Sequence, residues 1–315
     1  MKYLVTGGAG FIGSHLIQRL LDEKHDVICV DNLNDYYDPA LKKARLERFK
    51  DKIKFYQVDI AHKDQLETVF KEGKFDKICH LAAQAGVRYS LENPFVYADS
   101  NYVGTLNVLE LAKRYGIKDI VFASTSSIYG LNEKMPFSEE DRVDTPISIS
   151  SASKRACELL AFSYHHLFKL NVTCLRFFTV YGTYGRPDMA LFKFTKAILA
   201  GEPIDVYNNG DMKRDFTYVT DIVDGFYRAT QRPLGFQIIN LGCGNPVQLM
   251  DFIRTIEKEL GKKAQINYLP MQPGDVADTS ADITKAKKLL GWEPMVQVPE
   301  GVKKFVEWYR KYYAT

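Results

Sequence analysis

The sequence predicts an α/β fold, a doubly wound parallel sheet with a smaller, discontinuous α/β lobe. Three observations carry this: short β-like runs alternate with amphipathic stretches through the first half, three glycines interrupt the first such junction, and an acidic residue closes the second run. A chain of 315 residues is long enough to divide into two lobes.

Lys2 to Thr6 reads as the first strand, and Ser14 to Lys24 as a helix whose stripe is Leu16, Ile17, Leu20 and Leu21. Asp26 to Asp31 returns to strand character. Gly7, Gly10 and Gly13 therefore occupy a strand-to-helix turn, where a tight reversal, close approach of a pyrophosphate and close helix packing all favour glycine. Asp31, 18 residues after Gly13, is placed to bind adenosine ribose hydroxyls and to disfavour a 2′-phosphate. Ile53 to Val58 forms the third strand and leads to Asp59 and Ile60, where loop groups approach an adenine. Lys77 to Leu81 is the fourth, and the small Ala82 and Ala83 beyond it let a dinucleotide pass; tight helix packing is the alternative for these two. After a helix from Asn101 to Tyr115, the strand Asp119 to Ser124 delivers Thr125, Ser126 and Ser127 at the carboxyl end, the edge at which open α/β sheets bind ligands. Local turn bonding is the other reading of these hydroxyls.

In the second half, Met189 to Leu199, Leu249 to Leu260 and Val302 to Trp308 have helical periodicity, while 202–206 reads as a turn and short strand and Ile238 to Leu241 as a strand. The expected division is a dinucleotide-binding domain at 1–175, rejoined by 217–240, with 176–216 and 241–315 mainly in the second lobe.

Composition excludes several classes. With 46% hydrophobic and 26% charged residues the chain is an ordinary globular protein, and a net charge of +3 from 42 basic and 39 acidic residues argues against a nucleic-acid partner. The basic stretch Lys42 to Lys54 reads as a solvated helix face. Five scattered cysteines, Cys29, Cys79, Cys157, Cys174 and Cys243, lack metal-ligand spacing, so core filling in a reducing, cytoplasmic setting and no metal are expected. No run approaches the roughly 18 apolar residues of a membrane span, and neither export nor membrane association is expected.

Gly7 to Gly13, Asp31-Asn32, His80 to Ala83, Thr125 to Gly130 and Lys154 together resemble the extended short-chain dehydrogenase/reductase superfamily, as do Arg176 to Gly182 and Arg214 to Val219. The resemblance covers nearly the whole chain. Within it, Asp31 to Asp38, Ala85 to Ser90 and Gly185 to Ala190 are similar to UDP-glucuronate 4-epimerases. The resemblance implies a Rossmann-like domain that binds NAD through Gly7, Gly10, Phe11, Ile12, Gly13, Asp31, Asn32, Asp59, Ile60, Leu81, Ala82, Ala83 and Lys154. It implies C4 epimerisation of UDP-glucuronate to UDP-galacturonate by transient oxidation. Arg88, Thr125, Ser126, Ser127, Thr179, Arg186, Arg214 and Asp275 would contact the UDP-sugar, the hydroxyls surrounding its C6 carboxylate with neutral donors. Helices Tyr97 to Leu111 and Arg155 to Phe168 would pair across a homodimer, burial within one chain being the alternative.

One position departs from the family pattern. Four residues before Lys154, on the same helical face, the family carries a tyrosine whose proton affinity the lysine lowers; here the residue is Ser150. Thr125, Ser150 and Lys154 thus occupy the catalytic positions with a weak acid–base group among them. Three readings stand at this point: an engineered or accidental loss of the tyrosine that leaves a feeble, binding-competent chain; a variant using water or Tyr129, Tyr181 or Tyr184; and a nucleotide-sugar binding protein without chemistry. A UDP-galactose-type epimerase and a UDP-uronate decarboxylase are the alternative activities.

Overall fold

The computed structural model describes residues 1–272 and 274–314. Its strands are β1 (Lys2–Thr6), β2 (Asp26–Asp31), β3 (Lys54–Gln57), β4 (Lys77–His80), β5 (Asp119–Thr125), β6 (Asn171–Phe177), β7 (Thr179–Tyr181), β8 (Ile204–Val206), β9 (Lys213–Arg214), β10 (Phe216–Tyr218), β11 (Phe236–Leu241), β12 (Val247–Gln248) and β13 (Ile266–Tyr268). The main helices are α1 (Phe11–Asp22), α2 (Pro39–Glu47), α3 (Lys63–Gly73), α4 (Tyr89–Glu92), α5 (Phe95–Tyr97), α6 (Gly104–Arg114), α7 (Ile149–Phe168), α8 (Ala190–Ala200), α9 (Val219–Thr230), α10 (Leu249–Leu260), α11 (Thr284–Leu290) and α12 (Val298–Tyr313).

Seven strands form one sheet in the order β11-β6-β5-β4-β1-β2-β3, every neighbouring pair parallel. Parallel strands covered on both faces must be apolar on both faces, and β1 meets this with Tyr3, Leu4 and Val5 wholly buried. Tyr3 and Val5 join one core with Leu16 of α1 and Ile222 of α9; Leu4 joins the other with Val108 of α6 and Cys157 of α7. The sheet reverses its winding between β1 and β4, which opens a crevice beyond their carboxyl ends.

The segment carrying β7 to β10 leaves this sheet, and β11 returns to it beside β6. β8 and β13, β9 and β12, and β7 and β10 make two-stranded sheets outside it. Around them α8, α10 and α12 build an aromatic core, in which Phe216 and Phe252 stack at 4.0 Å.

α7 fixes the helix face that matters most. Ser148 caps it, accepting from the Ser151 N–H at 3.1 Å while the Ser151 hydroxyl accepts from the Ser148 N–H at 3.2 Å. Ser150 therefore lies in the first turn. Further along, Glu158 meets Arg176 of β6 through Nε at 3.0 Å and NH2 at 2.9 Å, which ties α7 to the sheet.

Several elements differ from the sequence expectation. α1 starts at Phe11 instead of Ser14, because Gly13 fits inside its first turn, and the terminal helix runs from Val298, with Pro299 at a position where its missing N–H costs nothing. The basic stretch is not simply a solvated face. Lys42 and Arg45 are buried, and Arg45 donates to the Ala9 carbonyl at 3.1 Å and the Tyr184 carbonyl at 2.7 Å.

Candidate active site

The turn after β1 explains its three glycines by contact. Gly7 has φ of 73°, and a Cβ there would come 2.6 Å from the Ala82 nitrogen; one on Gly13 would come 2.2 Å from the Gly7 carbonyl oxygen. β1, the loop after β4 and the start of α1 thus converge at backbone contact. Gly10 caps α1 without a side-chain hydrogen bond, so the helix keeps its amino-terminal N–H groups and positive dipole end for an anion.

Asp31 stands at the end of β2 beside this turn. Its carboxylate accepts from Ala9 N–H at 3.1 Å and Leu33 N–H at 2.9 Å. Burial raises its proton affinity, against which Lys42 and the two N–H groups act. Asn32 donates to Asp59 at 2.8 Å, and Asn107 donates to the Ile60 carbonyl at 2.9 Å, fixing the loop after β3. The glycine cradle, the open helix terminus and the Asp31 carboxylate beside them together fit a dinucleotide.

At the neighbouring strand end, Thr125 closes β5 and Ser126 and Ser127 follow in a turn, the Thr125 hydroxyl standing 3.2 Å from both the Ser127 hydroxyl and its N–H. Thr179 opens β7, two residues past Phe177, which pairs with Thr125. Lys154 reaches the same edge from α7 and donates to the Ala123 carbonyl at 2.8 Å, its ammonium 4.5 Å from the centre of the Phe122 ring. Burial lowers the proton affinity of Lys154. Behind it, His80 bridges Thr6 and Thr105 and is pushed down to about 3 by burial and by the Lys154 charge, which leaves it a neutral core group.

A cleft of about 840 Å³ joins these elements. Every residue that the resemblance assigns to cofactor, catalysis or substrate lines it: the glycines with Phe11 and Ile12; Asp31, Asn32, Asp59 and Ile60; Leu81, Ala82 and Ala83; Thr125, Ser126, Ser127, Ser150, Lys154 and Thr179; and Arg88, Arg186, Arg214 and Asp275. At its far end, Arg88 pairs with Asp275 at 3.5 Å and lies 4.6 Å over the Tyr207 ring, while Arg214 donates to the Val276 and Ala277 carbonyls at 2.6 Å each.

The three tyrosines weighed as substitutes for the missing phenol are not there. Tyr129 lies in the core, held by Asn240 at 2.7 Å and Arg176 at 3.0 Å, with burial pushing it up to about 12. Tyr181 is buried with its hydroxyl against Gly301 of α12, and Tyr184 packs on Trp308 at 4.9 Å. Their directions are set by distant packing partners that residue spacing does not reveal. The tyrosines that do line the cleft are Tyr36, Tyr37 and Tyr207.

Tyr36, Lys42 and Asp188 are site residues that sequence reasoning missed. Tyr36 donates to Asp188 at 3.1 Å, and Arg186 grips both oxygens of Asp188, at 3.0 and 2.5 Å. Burial opposes both charges of this pair, yet each partner holds the other ionised: Asp188 is lowered and Arg186 raised from the usual range. Tyr36 is pushed up to about 12 by burial and by Asp188. Tyr36 and Asp188 both sat inside motifs already recognised, which was the available signal.

No group of three or more His, Cys, Asp or Glu side chains with metal-site geometry occurs among the described residues, and no helix among them is long and apolar enough to cross a membrane.

A parallel sheet of this order, with a glycine turn at its winding reversal and a lysine helix facing the end of β5, defines an extended short-chain dehydrogenase/reductase. More particularly, the sequence model of the GDP-mannose 4,6 dehydratase family matches residues 4–305, and the chain belongs to that family. An uncharacterized protein of Methanocaldococcus jannaschii is 54% identical across 98% of this chain and 97% of its own length. The UDP-glucuronate 4-epimerase of Thermodesulfobacterium geofontis is 50% identical across 97% of this chain and 95% of its own. Among solved structures, the UDP-glucuronic acid 4-epimerase of Bacillus cereus in complex with UDP-glucuronic acid and NAD superposes with a TM-score of 0.93, at 34% identity, covering 99% of this chain and all of that one.

Proposed function

We propose that this protein binds NAD and a UDP-hexuronic acid and interconverts UDP-glucuronate and UDP-galacturonate, with proton transfer at the sugar 4-hydroxyl slowed by Ser150. The observation that carries the reading is the convergence of a dinucleotide cradle, a hydroxyl cluster at the end of β5 and an arginine-lined far end in one cleft. Likeness to UDP-glucuronate 4-epimerases over nearly the full chain supports the substrate.

Bound NAD supplies the hydride acceptor and donor at sugar C4. The residues of the chain do the rest. The open amino terminus of α1 would hold the pyrophosphate of the dinucleotide and Asp31 its adenosine ribose, and Lys154 would orient its second ribose. Thr125 hydrogen-bonds the reacting oxygen. Ser126, Ser127 and Thr179 offer neutral donors to the C6 carboxylate, holding it out of alignment with a C4 carbonyl and so against decarboxylation. Arg88, Arg186 and Arg214 bind the diphosphate, and Asp275 binds the ribose of the UDP. Ser150 supplies a hydroxyl where a phenol would serve; an alkanol is a far weaker acid and stops several ångströms short.

We also read residues 1–175 with 217–240 as the dinucleotide-binding domain and the remainder as the sugar-nucleotide lobe. Two copies pair through the surface of α6 and α7 and the turns before α6, where Phe95, Tyr102, Leu159 and Phe162 are exposed apolar groups. The protein acts in the cytoplasm.

Incubation with UDP-glucuronate and catalytic NAD, followed by separation of the sugar nucleotides, tests the activity. Slow approach to a UDP-glucuronate and UDP-galacturonate mixture without net NADH is expected. Carbon dioxide and a UDP-pentose as main products would overturn it.

A further inference from the structure

Three loops from different strand ends meet at one hydroxyl. Tyr36 lies in the loop after β2, which begins at Asp31 and is stapled by Leu33 N–H on Asp31 at 2.9 Å, Asn34 N–H on Asn32 at 3.0 Å and Lys42 on Asn34 at 2.6 Å. The Tyr36 ring packs 5.0 Å from that of Tyr89, which opens α4 directly after Arg88. A Cβ on Gly86 would fall 2.3 Å from the Tyr36 oxygen, so this glycine is what lets the phenol through. Its hydroxyl then donates to Asp188 at 3.1 Å, on the segment leading to α8.

Asp188 in turn sets Arg186. Nε and NH2 of the guanidinium bind its two oxygens, so the plane of the fork follows the plane of the carboxylate. The Tyr36 bond fixes that carboxylate from the opposite lobe. Arg186 is therefore oriented by a residue only five positions from Asp31, the carboxylate read above as the partner of the adenosine ribose.

We propose that Tyr36 and Asp188 form a latch between the two lobes, so that dinucleotide held at Asp31 positions Arg186 for the diphosphate of the sugar nucleotide. The latch makes the second ligand bind more tightly after the first. Tyr36 and Asp188 are positioning residues here and act through Arg186. The proposal rests on the reading that the cleft takes both ligands.

Calorimetric titration with UDP, into protein stripped of dinucleotide and into protein saturated with NAD, tests it. NAD is expected to tighten UDP binding about tenfold in the wild type and less than about twofold in Tyr36→Phe, which keeps the ring against Tyr89 but loses the donor. Asp188→Asn, which keeps the shape and loses the charge, is expected to abolish the coupling in the same way. A merely structural role would weaken both titrations and leave their ratio unchanged. Equal UDP affinity with and without NAD in the wild type, or an undiminished ratio in Tyr36→Phe with a wild-type melting temperature, overturns the latch. Absence of UDP binding in both wild-type forms would instead defeat the sugar-nucleotide reading, and the latch with it.

Discussion

Arg176→Met removes one half of the buried pair that seats α7 on the sheet. Arg176 and Glu158 are 1% and 0% exposed, and two charge-assisted bonds join them. Truncating one partner of such a pair costs about 3–5 kcal/mol, because the other charge stays buried without its counterion. Glu158 would keep Ser124 at 2.7 Å and Arg155 at 3.2 Å, which places the expected cost near the lower end, at about 3 kcal/mol. That is a large part of the roughly 5–15 kcal/mol that holds a typical domain together. Because Ser150 and Lys154 stand on the same helix, NAD affinity should fall as well. Urea unfolding followed by tryptophan fluorescence measures the stability, with Glu158→Leu and the double variant completing a cycle. Removing both charges leaves no orphan ion, so the double variant should be more stable than either single one. A loss below about 1 kcal/mol for Arg176→Met, or costs that simply add in the double variant, would refute the reasoning.

Two further outcomes follow, one from the cleft wall and one from the core behind it. Gly13→Ala places a methyl 2.2 Å from a backbone oxygen; overpacking of about 1–3 kcal/mol corresponds to a roughly 5- to 150-fold loss of NAD affinity, and unchanged affinity by calorimetry would contradict the contact. His80, with a folded value of about 3 against an ordinary 6.5, binds its proton more readily when unfolded, so its contribution to stability is fully present above 6.5 and is lost as pH falls towards 3. In His80→Gln the stability-against-pH curve should be shallower by about 1.4 kcal/mol per pH unit over that window; parallel curves for the two proteins would count against the assignment.

Much of this architecture was legible because its determinants are local. The strands from Lys2 to Thr6 and Asp26 to Asp31 follow from apolar runs, and the glycine turn between them carries its own spacing. The cleft residues were legible for a related reason: the all-parallel sheet puts the carboxyl ends of β1, β2, β4 and β5 on one side, so motifs far apart in sequence are brought together by topology. What escaped depended on partners distant in sequence. Lys42 and Arg45 look like solvent charges until Asn34 and the Ala9 and Tyr184 carbonyls are seen to receive them. The directions of Tyr129, Tyr181 and Tyr184 are likewise decided by Arg176, Gly301 and Trp308. Asp188 stands two residues from Arg186, but only the fold shows Tyr36 arriving from the loop after β2.

The central claim is that binding machinery is complete and proton transfer alone is deficient. Turnover of UDP-glucuronate by the wild type and by Ser150→Tyr, with NAD and UDP affinities measured alongside, tests this most directly. A positioned acid–base group contributes about 10²- to 10⁴-fold, so Ser150→Tyr should raise kcat by that order and leave both affinities nearly unchanged. An equally slow Ser150→Tyr protein that still binds both ligands would contradict the account.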